Sequence, residues 1–377
     1  MKTLQVLAIL LLIALIPFTA GADLQIYYLD VGQGDASLVV CDGEAMLIDG
    51  GSSIYSSFIH SFIKEKMGLT SLKYIVATHP HEDHIGGLNA ALNAVPVGAI
   101  MSPVTEWDSV QFKAMKRYAN AQGSPIFVPN EGETYSLGNG TFEIVHCWPE
   151  AWGENDMSIC LRFVYGETSF LFLGDAEYMS EYMMMDGQIP LKSTVMHIAH
   201  HGSRSSSTTP FLKAVSPKYA VISCGTANQY GHPHQETLDS LKDMDVMLFR
   251  TDKQGTIVAV SDGKLLTFGT GRNTMADLYK APQLMPTEAP VTRSIPEPEQ
   301  TEETEPQDLI ILPGFTPAPD DTVTRSKVAY IGNKRSHVFH YPECDSVKAM
   351  SEKNKVNLYS REEAISKDYH PCQNCNP

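Results

Sequence analysis

Cations are scarce in this sequence. Its 377 residues carry 28 Lys and Arg against 44 Asp and Glu, a formal net charge of −16. That balance argues against a broad basic face for gripping duplex nucleic acid. A polyanionic substrate would have to be drawn in by local cations, metal ions among them. Long apolar runs are missing too, apart from one at the N-terminus, so no other stretch reads as a bilayer span. That one, "MKTLQVLAILLLIALIPFTAGADLQ", sets a lysine before an apolar core and small residues at Ala20, Gly21 and Ala22. It has the form of a secretory signal peptide cleaved after Ala22, with a retained membrane anchor as the alternative. No cysteine follows where a lipid anchor would need it. Cysteine itself is sparse and odd in number, at seven. Cys41, Cys147, Cys160 and Cys224 adjoin apolar runs and read as buried thiols or disulfides, between which spacing does not decide.

What is present is a well-patterned chain. The apolar fraction of 43% supports a full core, and the length allows two or more domains. From Leu24 to about Gly271, short β-rich runs recur: "LQIYYLDV", "ASLVVC", "AMLIDGG", "YIVAT", "TFEIVHC", "SICLRFVY", "SFLFLGD", "STVMHIAH", "YAVISC" and "TIVAVSDG". "CDGEAML" reads as a hairpin turn. "SIYSSFIHSFIKEKMG" and "HQETLDSLKDM" read as helices. A strand meander followed by mixed strands and helices predicts an α/β (α+β) sandwich. The expected organisation is a signal peptide (1–22), a catalytic domain (23–272), a solvated linker rich in Pro, Glu and Thr (273–325) and a small final module (326–377).

The densest chemistry is "YIVATHPHEDHIGG", where His79, His81, Asp83 and His84 fall within six residues at the end of an apolar run. His79 and His81 lie two apart, so an extended backbone points both imidazoles one way. Asp83 and His84 follow in the turn and serve a second position close by. Imidazole and carboxylate together suit Zn²⁺, Fe or Mn²⁺. Gly86 and Gly87 let the next helix start close to the site. Two further runs repeat the pattern of apolar strand then ligand: "SFLFLG" delivers Asp175, and "STVMHIA" delivers His200 with His201 beside it. Asp175 has two oxygens with which to bridge two cations. His197, earlier in the same run, is expected to pack.

The His-x-His-x-Asp-His motif resembles the hallmark of the metallo-β-lactamase superfamily. The ordered set "LDVGQGDASLV", "LIDGG", "THPHEDHIGG", "FLGDAE", "AHHGSRSSS" and "YGHPH" is similar to the hydrolase domain of the competence protein ComEC family, over about 250 residues. The resemblance implies an αββα sandwich with a two-metal hydrolytic centre at one edge. It places Asp49 near the metal loop as an orienting partner, with Asp30, Gln33 and Asp35 in a turn beneath. Many members of the superfamily supply another histidine between the metal loop and the Gly-Asp motif. Here His146 is the histidine available in that interval, and "ENDMSICLRF", with Asn155 and Asp156, is the alternative that the ComEC pattern offers.

Two close divalent cations lower the pKa of a water between them toward neutrality, so ester or phosphodiester hydrolysis needs no side-chain nucleophile. Asp83 is then both ligand and orienting group. His232 is a candidate general acid, or a histidine hydrogen-bonded locally. Ser203, Arg204 and Ser205 suit phosphate oxygens, or cap a following helix. The resemblance implies a phosphodiesterase or nuclease acting on DNA. Cell-envelope phosphodiesters, such as teichoic acid or its phosphocholine, are a second substrate class, and a non-catalytic metal-holding binding protein is a third reading.

In the last 38 residues, His340-x₃-Cys344 and Cys372-x-x-Cys375 have the spacing of a closed tetrahedral zinc site. A module of this size has little core, so a metal contributing stability is expected. A disulfide among the cysteines is the alternative, and His337 and His370 are alternative ligands. The segment resembles the small zinc-binding domain of the Ada DNA-repair protein, with His340 where that family has a cysteine.

Overall fold

The structure is a computed structural model. It describes residues 24–151, 153–282 and, within 330–371, all but 343, 349, 359–363, 365, 366 and 368. The expected signal peptide, most of the linker, and Cys372 and Cys375 lie outside the described residues. The chain divides into two compact units, Met1–Thr287 and Glu288–Pro377.

The first unit is built from fifteen strands among its described residues. They are β1 (Leu24–Tyr28), β2 (Ser37–Cys41), β3 (Glu44–Ile48), β4 (Leu72–Val76), β5 (Val97–Met101), β6 (Ile126–Phe127), β7 (Thr134–Leu137), β8 (Gly140–His146), β9 (Cys160–Tyr165), β10 (Thr168–Phe172), β11 (Val195–His197), β12 (Tyr219–Ile222), β13 (Met247–Arg250), β14 (Ile257–Ser261) and β15 (Leu266–Thr270). Eight pair in the order β15-β14-β1-β2-β3-β4-β5-β6, and seven in the order β13-β12-β11-β10-β9-β8-β7. In β1, residues alternate between fully and partly buried, as a strand with one face on the core must. The β2–β3 hairpin turns on Asp42 and Gly43, with φ of 48° and 84°, the conformation a tight two-residue turn demands.

Three apolar layers hold the unit together. The middle one lies between the sheets and joins Tyr28, Val39, Met46 and Val76 to Phe142, Phe163, Phe170 and Phe172. Removing one such Phe side chain costs about 3–5 kcal/mol. Outside the first sheet pack α1 (Ser56–Ser61), α2 (Glu82–Ile85), α3 (Leu88–Ala94) and α4 (Val110–Gln122), through Ile59, Leu88, Phe112 and Met115. Outside the second pack α5 (Tyr178–Asp186), α6 (Thr209–Val215) and α7 (Gln235–Asp243), through Met184, Phe211 and Leu238. The result is the αββα sandwich. α4 starts where Ser109 Oγ accepts from Phe112 N and stops at Gly123, in the left-handed region at φ 74°.

Two features differ from the sequence reading. All ten quoted β-rich runs are strands, but β5, β6, β7, β13 and β15 were not singled out. The unit also runs past residue 272: Leu278, Tyr279 and Ala281 pack on its core, and Arg250 Nη1 donates to the Leu278 and Lys280 carbonyls. Arg250 is fully buried and needs those acceptors.

The second unit has a four-stranded sheet, with β16 (Tyr330–Asn333), β17 (Val338–His340), β18 (Lys355–Leu358) and β19 (His370–Pro371) in the order β18-β16-β17-β19. Its core is small, made by Phe339, Leu358, Ala364 and Tyr369.

Candidate metal centre

Strand ends deliver the site. β3 and β4 run parallel, as do β10 and β11, so within each sheet the C-terminal ends share an edge. β3 releases Asp49, β4 leads to His79, β10 to Asp175, and β11 to His200 and His201. Gly87 lets α3 approach: a Cβ there would lie 2.2 Å from the Gly50 carbonyl oxygen, so only glycine fits.

Asp175 is the hub, with 3% exposure. His84 Nε2 is 3.2 Å and His201 Nε2 3.7 Å from its Oδ1. His79 Nε2 is 3.8 Å and His200 Nε2 3.7 Å from its Oδ2. One carboxylate thus faces a histidine pair on each oxygen. Asp83 joins the first pair, with Oδ2 3.3 Å from His201 Nε2. His81 joins the second, with Nδ1 2.9 Å from His79 Nε2.

The outer nitrogens fix which lone pairs are available. His84 Nδ1 donates to Asp49 Oδ2 at 2.8 Å, and His201 Nδ1 to the Ser223 carbonyl at 3.0 Å. His200 Nδ1 stands 3.2 Å from Glu177 Oε1. Thr78 Oγ1 donates to Asp49 Oδ2 and so accepts from His79 Nδ1, 3.2 Å away, with Ser158 Oγ also close. All four rings therefore carry a proton on Nδ1 and turn Nε2, the atom a metal would take, toward Asp175. His84 Nε2, His201 Nε2 and Asp175 Oδ1 are buried without a hydrogen-bond partner among the described residues. Orphaned polar atoms that converge in this way cost free energy unless a cation joins them. The sets His79–His84–Asp175, Asp83–His84–His201 and Asp35–Asp175–His201 each offer ligand atoms within 4.8 Å of one another. The residues fit divalent cations.

Electrostatics agree. Burial opposes charge on Asp175, but protonated His84, His201 and His200, each held above the ordinary imidazole value against burial by the Asp175 carboxylate, outweigh it and hold its carboxyl well below the usual range; a divalent cation would take the place of their Nε2 protons. Burial, helped by His84, holds His79 well below the ordinary imidazole value, which keeps it neutral. The backbone is strained here as well: His200, His201 and Gly202 follow one another in the left-handed region, with φ of 50°, 53° and 82°. Left-handed backbone costs roughly 1–2 kcal/mol per non-glycine residue. Strain of this kind persists where surrounding structure enforces it, often at functional sites.

The model of the metallo-beta-lactamase superfamily matches residues 29–226, half of the chain, and every residue of the Asp175 cluster falls within it. The chain belongs to this superfamily. ComE operon protein 3 of Bacillus subtilis (strain 168) is 29% identical over 247 residues, covering 61% of this chain and 32% of that protein. Competence protein ComA of Neisseria gonorrhoeae is 29% identical over 261 residues, covering 64% and 32%. The chain thus spans about a third of the length of these curated relatives. Among solved structures, the metallo-beta-lactamase fold protein YhfI from Bacillus subtilis aligns at 11% identity with a TM-score of 0.43, covering 66% of this chain and all of that one. The metal binding domain of Ada matches residues 321–377.

His79, His81, Asp83, His84, Asp175, His200 and His201 all come together. Of the adjacent histidines, His201 is the buried one beside Asp83 and His84, whereas His200 lies on the His79 side; the sequence reading had put His200 first. Asp49 Oδ2 accepts from His84 Nδ1. Asp30 does not reach the centre: its Oδ2 accepts from Arg272 Nη2 at 2.9 Å. Asp35 takes that place, 3.2 Å from His201 Nδ1 and 3.7 Å from His197 Nδ1. His146 is not a ligand, because its two nitrogens meet Glu131 at 2.8 Å and Ser180 at 3.1 Å. Asp156 Oδ1 accepts from Glu177 N and Ser180 Oγ, and Asn155 Nδ2 donates to Glu177. Neither completes a site, but Ser158 of the same stretch backs His79.

The phosphate-loop reading changes too. Arg204 points outward to Glu236, Ser203 Oγ bonds Ser205 Oγ, and Ser205 Oγ donates to Glu177 and sits beside His200. The left-handed turn folds these hydroxyls back onto the protein. His232 lies beside the cluster, with its ring centroid 5.4 Å from that of His200. Burial and the neighbouring histidines lower its pKa to about 3, so it is a neutral imidazole and not a cationic acid. Glu154, 2.8 Å from His81 Nε2, and Glu177 were missed as partners; the only sequence signal for Glu177 was its place two residues after Asp175.

Cys41, Cys147, Cys160 and Cys224 are thiols, and three of them are buried. In the second unit, His340 ends β17 and is buried, which lowers its pKa, and Cys344 follows four residues on.

Proposed function

We propose that the first unit is a two-metal phosphodiesterase, with DNA as its leading substrate. The observation that carries this is the sharing of Asp175: two Nε2 atoms face each of its oxygens. A protein that held metal only for structure would enclose one ion with a full set of ligands. Divalent cations in this cradle supply Lewis acidity and an activated water.

The chain's residues do the rest. His84, His201 and Asp83 form one position; His79, His81 and His200 form the other. Asp49, the Ser223 carbonyl and Glu177 hold outer nitrogens and so fix ring orientation, with the Asp35 carboxylate close behind His201. His232 supplies a neutral N–H at the margin, suited to hydrogen-bond a leaving oxygen. Support for a nucleic-acid substrate comes from the names of the relatives, competence proteins. A cell-envelope phosphodiester is the runner-up. We also infer that residues 1–22 direct export and that His340, Cys344, Cys372 and Cys375 hold a structural zinc in the final module. Among the described residues, no helix is long and apolar enough to cross a membrane.

The test uses the purified full chain, stripped by chelator and reloaded with Zn²⁺, Mn²⁺ or Fe²⁺. Bound metal is counted, and hydrolysis of bis(p-nitrophenyl) phosphate and of a single-stranded oligonucleotide is measured. Two ions per first unit and turnover abolished by Asp83→Ala are expected. No turnover with any metal, or turnover indifferent to Asp83→Ala, rejects the enzyme.

A further inference from the structure

Beside Asp83 the surface opens into a cavity of about 480 Å³. Its size is that of a small-molecule site. Asp83 lines it, so it is continuous with the metal centre. Its other walls are aromatic, aliphatic, amide and acidic: Tyr55, Tyr230, Ile54, Gln33, Gln229 and Glu82, whose Oε1 is taken up by Ser52 Oγ and Ser53 N. Neither Lys nor Arg lines it. Two apolar side chains are held out in solvent at its rim, Ile54 at 81% and Tyr230 at 55% exposure.

These rims are rigid. Tyr230 stacks on His232 with ring centroids 5.6 Å apart and planes at 24°. Asn228 pins the loop beneath it, accepting from Tyr230 N and His232 N and donating to the Gly225 and His232 carbonyls. Across the cavity, Tyr55 lies over Gly32, where an added Cβ would sit 2.6 Å from its hydroxyl oxygen, and Gly32 is left-handed at φ 65°. The protein therefore keeps a fixed, exposed ring within reach of the catalytic position, with hydrogen-bonding amides between the walls.

We infer that this cavity seats an unpaired base of a single-stranded polynucleotide, stacked on Tyr230, next to the phosphodiester at the metal centre. The inference rests on the phosphodiesterase reading and narrows its substrate. Stacking tolerates any base, because every base has a π-face. A duplex does not fit, since its bases are already stacked on one another. With no cation in the cavity, affinity comes from the ring and the metal centre, so it depends weakly on salt. That agrees with a chain of net charge −16.

The test is binding, which needs no turnover. The metal-loaded full chain is titrated into fluorescently labelled phosphorothioate oligo-dT, an abasic oligomer with the same number of phosphorothioates, and a duplex. Anisotropy gives Kd at 50 and 200 mM salt. Oligo-dT is expected to bind about tenfold more tightly than the abasic oligomer, a modest value for one base on one ring. Tyr230→Ala should remove that preference, Tyr230→Trp should keep it, and the salt step should change Kd by less than about threefold. Equal Kd for oligo-dT and abasic oligomer, or a preference that survives Tyr230→Ala, overturns the inference. Hydrolysis of bis(p-nitrophenyl) phosphate by the unaltered chain reports separately on the phosphodiesterase itself. A protein that cleaves it yet ignores the base has lost only the stacking site.

Discussion

Asp49→Asn tests the ligand logic most directly. Asp49 Oδ1 accepts from Thr78 N at 2.8 Å, and Oδ2 accepts from Thr78 Oγ1 at 2.7 Å and His84 Nδ1 at 2.8 Å. Those bonds keep the His84 proton on Nδ1. Asparagine retains the shape and tolerates the left-handed φ of 56°. With its Oδ1 still on Thr78 N, its amide nitrogen replaces Oδ2 and presents a donor to His84. The ring must then take the other tautomer, with a proton on Nε2, and an Nε2–H does not ligate a metal. Flipping the amide only sets N–H against Thr78 N–H. A hydrogen bond to a charged group is worth about 1.5–3 kcal/mol, and loss of such an outer partner weakens metal binding about 10- to 100-fold. Calorimetric titration of the chelator-stripped chain with Zn²⁺ should show one of two sites weakened by that factor, with the far-UV circular dichroism unchanged. Two sites as tight as in the unaltered chain would refute the account of His84.

Three further outcomes follow from the same geometry. His201→Ala and His200→Ala should each leave one ion per first unit after dialysis, counted by metal analysis; the two variants should differ in Co²⁺ absorption, because they empty different sides of Asp175. Burial raises the Glu181 pKa to about 7 although Ser207 N, Thr208 N and Thr208 Oγ1 all donate to it. The raised value means that the folded protein holds the proton more tightly, so stability is greatest below pH 4.5 and falls as pH rises to about 7, by on the order of 3 kcal/mol. The difference in denaturant stability between the unaltered chain and Glu181→Gln should follow that slope. Gly87→Ala should lose about 1–3 kcal/mol or more in denaturant midpoint, because the backbone carbonyl of Gly50 cannot move aside cheaply.

The order of strands and the ligand set were legible because both are local. Period-2 burial marks β1, and unbroken apolar runs mark strands buried between layers, such as β10. His79, His81, Asp83 and His84 sit in one loop, and Asp175 and His201 each follow a strand. β5 and β13 escaped notice because Val97–Met101 and Met247–Arg250 carry no motif. The segment from Leu278 to Ala281 looked like linker; its docking depends on a buried Arg250 that needs carbonyl partners.

The sequence by itself determined which residues can ligate and that they end strands. The tertiary structure decided the assignments between neighbours: His201 and not His200 beside Asp83, Asp35 and not Asp30 behind it, His146 turned to Glu131, and Arg204 turned to Glu236. Adjacent positions look alike in one dimension. Which of them faces inward is set by backbone angles, here three left-handed residues in a row, and by partners up to 166 residues away, as Asp35 is from His201, and neither is written in local spacing.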